Sequence, residues 1–279
     1  MSINKIISSL TKISILIIAI TYVLGLSSCT ESARQSRDPR LNLDSIASSM
    51  PKSDTLFFIN KEISDTNKEL RYYYSCNYPE LIHFENEILK RKVNYTIVNQ
   101  IRDVIDMFVM GQEIENSDSS KARLPEDYDL WESKNSYLFI NYEIINNSTS
   151  MMSMIFNVEH YMAFNAHPIS YHRTLNIDMN NGEPVDLQRY TYYIQDSMLL
   201  ENISQKSFQK INKLKVSDSN WIVNGTLPVW ENFRNFNIKN DSLVLTFDVY
   251  QVAPYAVGPV RIGIAWKELV NDSSDKPIK

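Results

Sequence analysis

Glycine is scarce in this chain, six in 279 residues, and none of them form the glycine-rich loop that cradles a phosphate. Cysteine is scarcer still, with only Cys29 and Cys76, so a disulfide framework and a multi-cysteine zinc site are both excluded. Four histidines are present, and none has a metal-ligating interval: His160 and His167 are seven apart, His167 and His172 five. Neither spacing sets two imidazoles on one face of a helix. No His-Glu-x-x-His and no Gly-x-Ser-x-Gly elbow occurs. Positive charge is in deficit, 28 Lys and Arg against 33 Asp and Glu, for a net −5. Nucleic acid, which wants a basic face, is therefore not an expected partner. Neither a metal nor a cofactor is expected, and there is no internal repeat or low-complexity tract.

Apolar residues make up 43% of the chain, enough for one large domain or two small ones. Residues 1–28 read as a processing segment. Lys5 and Lys12 supply a basic start, and Ile13 to Leu26 is an apolar run too short to span a bilayer comfortably. It ends in Leu26-Ser27-Ser28-Cys29, which resembles a bacterial lipoprotein signal: an apolar residue, two small ones, then the cysteine that takes lipid. A plain membrane anchor or an ordinary cleavage site are the alternatives. Several acyl chains on Cys29 would make a stable membrane anchor, where one chain gives only marginal binding. Cys76 then has no intramolecular partner and reads as a small buried hydrophobe, with a reactive thiol as the alternative. Residues 29–52 read as a tether. Only one acid, Glu31, lies close after the cysteine, whereas surface-export tags of envelope lipoproteins are more acidic. The expected address is the cell envelope, at the periplasmic face of the outer membrane.

The mature chain reads as a strand–helix region at 53–125 followed by a second region at 136–270. Thr55–Ile59 and Arg71–Cys76 are expected strands, with Tyr78-Pro79 as a break. Phe84, Ile88, Tyr95, Val98, Ile101, Ile105 and Phe108 fall mostly at steps of three and four, the apolar stripe of a helix over 84–110 that Gly111 stops. Residues 112–135 read as an acidic loop anchored by Trp131. Strands are expected at 136–146, 151–164 and 170–179, separated by turns at Asn146–Thr149 and Asn165–Pro168, with Asn180-Asn181-Gly182 closing the last. Asp196 or Ser197 caps a helix to about Leu214, with Leu200, Ile203, Ile211 and Leu214 inward. Residues 216–240 read as irregular. Two alternating strands follow, Leu243 to Tyr250 and Val260 to Lys267, joined by Ala253-Pro254-Tyr255-Ala256-Val257-Gly258-Pro259. Two prolines and a glycine make that connector a shaped loop, flanked by Tyr250 and Tyr255. The pattern is α+β: an antiparallel sheet packed by two main helices, two sub-regions in one compact unit.

Candidate chemistry is thin. His160 shares a strand face with Met154, Phe156 and Val158 and reads as a core histidine. His167 lies in a turn before Pro168, placed either to tie the loop together or to face a ligand. Asp178 and Asp186 flank the Gly182 turn and Asp248 lies beside the connector; turn capping or solvation accounts for each, with acid–base work the alternative. The 16 tyrosines suit strand faces, and also carbohydrate- or protein-binding surfaces.

Tyr250-x-x-Ala253-Pro254-Tyr255-Ala256-x-Gly258-Pro259, followed by a strand to Leu269, resembles the C-terminal signature of the uncharacterised domain shared by the anti-sigma factor RsiV and the peptidoglycan deacetylase PdaC. Tyr161, the turn Asn165-Ala166-His167-Pro168, Asn176-x-Asp178, Gly182 and Leu187 follow that family's order across residues 136–270. Asn165 stands where the family has glycine, and asparagine still tolerates left-handed backbone. Residues 53–112 more loosely resemble the domain that often precedes it. In the anti-sigma factor this region binds lysozyme; in the deacetylase it accompanies a separate catalytic domain, for which no room and no Asp/His ligand set are expected here. The resemblance implies a lipid-anchored envelope module that binds or senses a lysozyme-like protein or a peptidoglycan fragment, without catalysis of its own. Its candidate surface is Asn165, His167 and Pro168 with Tyr250, Pro254, Tyr255 and Gly258, and Asp178 is a further ligand-binding candidate. The alternative is an envelope deacetylase or hydrolase using His167 and Asp178.

Overall fold

Alternation of side chains builds the larger sheet. The computed structural model describes residues 55–117, 135–163, 165–189 and 198–269. β1 (Phe57–Asn67), β2 (Tyr72–His83), β3 (Ser136–Asn147), β4 (Met151–Tyr161), β5 (Ile169–Asp178) and β6 (Glu183–Pro184) lie side by side in chain order. One face carries Tyr72, Cys76, Leu138, Ile140, Met154, Phe156 and Val158 against α1 (Glu87–Ser117). Every pairing in this sheet is antiparallel except β2 with β3, which is parallel from Tyr72↔Ser136 to Cys76↔Ile140. Parallel neighbours need a long crossover, and the connection containing α1 supplies it. The 53–125 and 136–270 regions thus meet within a single sheet.

A second sheet, β7 (Phe236–Lys239), β8 (Ser242–Phe247) and β9 (Val260–Ala265), is antiparallel throughout. Leu243, Leu245 and Phe247 of β8 and Val260, Ile262 and Ile264 of β9 bury against Leu199, Ile203 and Ile211 of α2 (Leu199–Leu214). α3 (Ser219–Gly225), a 3-10 turn at Trp230–Phe233 and a closing helical turn α4 (Trp266–Leu269) complete this half. β7 lies across the outer face of β3, β4 and β5. The layers therefore run helix, large sheet, small sheet, helix, the α+β arrangement expected from the strand and helix pattern.

Several local expectations need correction. β2 runs through Pro79. Its parallel register to β3 ends at Cys76, so Pro79 sits where one edge of the strand is unpaired and a missing N–H is tolerated. α1 continues through Gly111 to Ser117; a helical glycine costs about 1 kcal/mol against alanine and need not end a long helix. The inward face of α1 is Leu89, Val93, Ile97, Ile101, Val104, Ile105 and Phe108, whereas Ile88 and Tyr95 are 83% and 67% exposed. Apolar residues at two helical phases competed, and steps of four through Val93 and Ile97 match the sheet. Residues 216–240 are ordered into α3, the 3-10 turn and β7 rather than irregular. Leu214 is exposed, and a buried Ser207 takes its place in the α2 stripe. β8 ends at Phe247, and Trp266 opens a helical turn instead of continuing the strand. Cys29, the signal and tether, Trp131, and the Asp196 or Ser197 cap lie outside the described residues.

The two sheets meet through polar groups. Ser153 Oγ donates to Asn176 Oδ1 (2.6 Å), and Asn237 Nδ2 donates to Ser153 Oγ and the Met154 carbonyl (2.9 Å each). Asn176 Nδ2 donates to the Phe236 carbonyl at 2.9 Å, and the Ile238 amide reaches Ser153 Oγ at 3.1 Å. All three side chains are buried. Replacing Asn176 with alanine strands these partners, and we expect a loss of about 2–3 kcal/mol in urea unfolding. A loss below about 0.5 kcal/mol would mean that the network does not hold the sheets together.

Candidate functional site

The connector is positioned by one buried carboxylate. β8 ends where Asp248 turns inward between the sheets. Its Oδ1 accepts from the His172 amide (2.9 Å) and from His172 Nδ1 (2.7 Å). Oδ2 accepts from Asn235 Nδ2 at 2.9 Å and from the Arg234 guanidinium at 3.4 Å. A buried carboxylate is stable only when so surrounded by donors. Because His172 lies in β5, this bond fastens the start of the connector to the large sheet. A tight turn follows, with Gln251 N donating to the Asp248 carbonyl at 3.1 Å. Gln251 Nε2 then ties the segment to the carbonyls of Gly225 (3.2 Å) and Asn232 (2.8 Å).

Beyond that anchor the connector is a rigid arc. Val252 and Ala253 plug into the small-sheet core. Pro254 to Val257 stand exposed, with Tyr255–Val257 as a 3-10 turn in which Val257 N donates to the Pro254 carbonyl (3.0 Å) and Gly258 N to that of Tyr255 (2.9 Å). Gly258 has φ 75° and ψ −170°, a backbone state essentially reserved for glycine. The arc faces the turn after β4. The His167 and Tyr255 rings lie 5.4 Å apart, and the Tyr255 and Tyr250 rings 5.6 Å. His167 Nδ1 sits 2.9 Å from the Pro168 carbonyl. A carbonyl only accepts, so Nδ1 donates in this contact. Tyr161 braces the same turn, its hydroxyl donating to the Asn165 carbonyl at 3.0 Å.

Tyr161 also ends a row of rings across the outer face of the large sheet. Tyr73, Tyr137 and Tyr161 are register partners on β2, β3 and β4, with neighbouring centroids 5.9 and 5.6 Å apart. Phe139 joins at 4.9 Å from Tyr137. Burial, helped by a 3.0 Å bond to Glu159, pushes the Tyr137 phenol up to about 12. Such cross-strand pairs stabilise a sheet by about 0.2–1 kcal/mol each. The row ends at Tyr161, whose hydroxyl ties it to the 165–168 turn.

Of the residues singled out in the sequence, Asn165, His167, Pro168, Tyr250, Pro254, Tyr255 and Gly258 come together from two segments. Asp178 does not join them. His167 precedes β5 and Asp178 ends it, so its ten residues set the two about 30 Å apart at roughly 3.3 Å per residue. Asp178 caps its own turn instead, accepting from the Asn180 amide (2.9 Å) and the Asn181 side chain (3.0 Å). A shared catalytic role for His167 and Asp178 is thereby ruled out. His160 is half-buried, edge-on to Tyr171 at 6.0 Å, and burial lowers its pKa. The His172–Asp248 pair was missed: 76 residues separate the partners, and no local pattern announces a contact across two sheets. Among the described residues no hydroxyl or thiol hydrogen-bonds the His172 ring, which meets Asp248, and no three of His, Cys, Asp and Glu gather as a metal site. Cys76 is fully buried, and burial pushes its thiol up to about 12, away from nucleophilic use.

Residues 194–267 match the family described as "Protein of unknown function (DUF3298)". The peptidoglycan-N-acetylmuramic acid deacetylase PdaC of Bacillus subtilis is 26% identical over 216 residues, 76% of this chain. The chain spans 41% of the length of that relative. A crystal structure of a family member from Bacteroides fragilis aligns with 77% of this chain and 93% of its own at TM-score 0.51 and 17% identity. A member from Pseudomonas aeruginosa aligns with 78% and 94% at TM-score 0.48 and 10% identity. The resemblance read from the connector therefore stands: the uncharacterised family matches residues 194–267, which contain the connector, PdaC is similar over 216 residues, and the Bacteroides structure shares the fold.

Asp248→Ala leaves His172 and Asn235 without their acceptor, and we expect about 2–4 kcal/mol less stability in urea unfolding. Cys76 is expected to resist iodoacetamide at pH 8 in the native protein and to label on denaturation, as read by mass spectrometry. Labelling at equal rates in both states would refute its burial.

Proposed function

We propose that the chain is a lipid-anchored module of the bacterial cell envelope that binds or senses a ligand, without catalysing a reaction of its own. The observation that carries this reading is the meeting of His167, Tyr255 and Tyr250 on one exposed surface. Rings held in fixed positions present large contact area at little entropic cost, which suits recognition. The backbone beneath them is fixed by Pro254, Gly258 and the Asp248 clamp, so the surface is preorganised. The Leu26-Ser27-Ser28-Cys29 sequence supports a lipid on Cys29 and residence at the periplasmic face of the outer membrane. The relative from Bacillus subtilis is named for peptidoglycan chemistry, which supports a ligand encountered at the wall: a peptidoglycan fragment or a wall-active protein such as lysozyme.

Retention of immobilised lysozyme or of soluble muropeptides by the full-length protein tests the reading. Binding at micromolar concentration is expected, weakened at least tenfold by His167→Ala combined with Tyr255→Ala. Failure to retain either ligand at that concentration would remove the proposal. Cys29→Ser is expected to shift the protein from the membrane to the soluble fraction, and unchanged fractionation would remove the lipid anchor.

A further inference from the structure

Next to Tyr250 an open cleft of about 500 Å³ is lined by Asp218, Trp221, Asn224, Asn232, Tyr250 and Gln251, with Gly225 at its base. We infer that this cleft is a subsite for a neutral saccharide chain whose sugar rings stack on Trp221 and Tyr250. The inference rests on the binding-module reading and names a ligand class for the same surface.

Three features carry it. The first is the fixed indole. Trp221 Nε1 donates to the Tyr250 carbonyl at 2.9 Å, and the Trp221 amide is capped by the Asp218 carboxylate at 3.0 Å. The ring is thus held at the cleft wall. The second is Tyr250 itself, with φ 67°. Left-handed backbone disfavours a residue with a Cβ by about 1–2 kcal/mol, and glycine or asparagine is the usual occupant. The tyrosine side chain is 55% exposed, so burial in the core does not offset that cost. A strained backbone carrying an exposed aromatic ring points to use of the ring.

The third feature is the polarity of what remains. Three of the cleft side chains spend N–H donors within the protein: Trp221 on Tyr250, Gln251 Nε2 on Gly225 and Asn232, and Asn232 Nδ2 on the Leu227 carbonyl at 3.0 Å. That leaves the Asp218 carboxylate and the Asn232 side-chain carbonyl as acceptors, and the exposed Asn224 amide and Tyr250 hydroxyl, each able to donate and accept. Such a site calls for a ligand rich in donors, as sugar hydroxyls are. A proline-rich peptide, which docks by offering carbonyl acceptors to an aromatic N–H, fits less well, because the Trp221 indole N–H is already spent on the Tyr250 carbonyl. Among the described residues no Lys, Arg or His lines the cleft and Asp218 is its only charge, so anionic ligands are disfavoured too. Tyr250 leads on to Tyr255 and His167, which extends the stacking surface beyond a single ring.

The test titrates full-length protein with chitohexaose, cellohexaose and decaproline by calorimetry. Either hexasaccharide is expected to bind, and decaproline is not. Tyr250→Gly removes the ring while relieving the left-handed strain. It is expected to weaken saccharide binding at least tenfold with the melting temperature unchanged or raised, a pairing that a structural role alone would not produce. No saccharide binding up to millimolar concentration overturns the inference. So does Tyr250→Gly binding as wild type, or preference for decaproline. If saccharides fail while lysozyme or muropeptides are still retained, only the cleft falls and the binding-module reading stands.

Discussion

The Asp248 carboxylate is the constraint on which the recognition surface depends. It sits where β8 stops being a strand, and its two oxygens are claimed by opposite sides of the molecule. His172 belongs to the large sheet, while Asn235 and Arg234 belong to the approach to β7. A buried anion tolerates little displacement, because each lost donor exposes an uncompensated charge. That intolerance makes the start of the connector a fixed point. From there Tyr250, the Val252–Ala253 plug and the glycine-dependent exit at Gly258 leave the arc one way to run, which is alongside His167.

The sheet junction follows the same logic. Each half has its own apolar core, one around α1 and one around α2. Apolar contact between the layers would be non-directional and would permit sliding. Ser153, Asn176 and Asn237 instead exchange directed hydrogen bonds in a buried setting, where any shift leaves a polar group unpaired. Register between the sheets is fixed by polar groups, and register is what brings turn 165–168 opposite the connector.

How much of this was legible in the sequence depends on distance along the chain. Period-two alternation located β3, β8 and β9, the turns between them located β4 and β5, and the proline–glycine chemistry of the connector marked a shaped loop. The resemblance carried on Tyr250 to Pro259 identified the domain. What failed was non-local. Nothing near Pro79 says that its strand loses a neighbour after Cys76. Ile88 and Tyr95 look as inward as Val93 and Ile97 until the sheet selects a helix face. Asp248 reads as a solvated charge until His172 arrives from 76 residues away. Asp178 and His167 are eleven positions apart, near neighbours in sequence, yet an extended strand carries them to opposite ends of the sheet.

The same contrast separates what identifies the domain from what selects a ligand. Asn176 bolts the sheets together. Gly182, at φ +69°, lies where a Cβ would come within 2.6 Å of Leu89 on α1. Gly258 turns the arc and Asp248 anchors it. Asn176, Gly182 and Gly258 belong to the recognisable pattern, and each of the four positions has a structural explanation. The residues that face outward, His167, Tyr250, Tyr255 and Trp221, have side chains that the fold does not need at the surface. His167, Tyr250 and Tyr255 also belong to the pattern, yet those rings could be exchanged without disturbing either core. The likeness over residues 194–267 therefore speaks for the scaffold, whereas ligand chemistry has to be read from the rings and acceptors that this chain mounts on it.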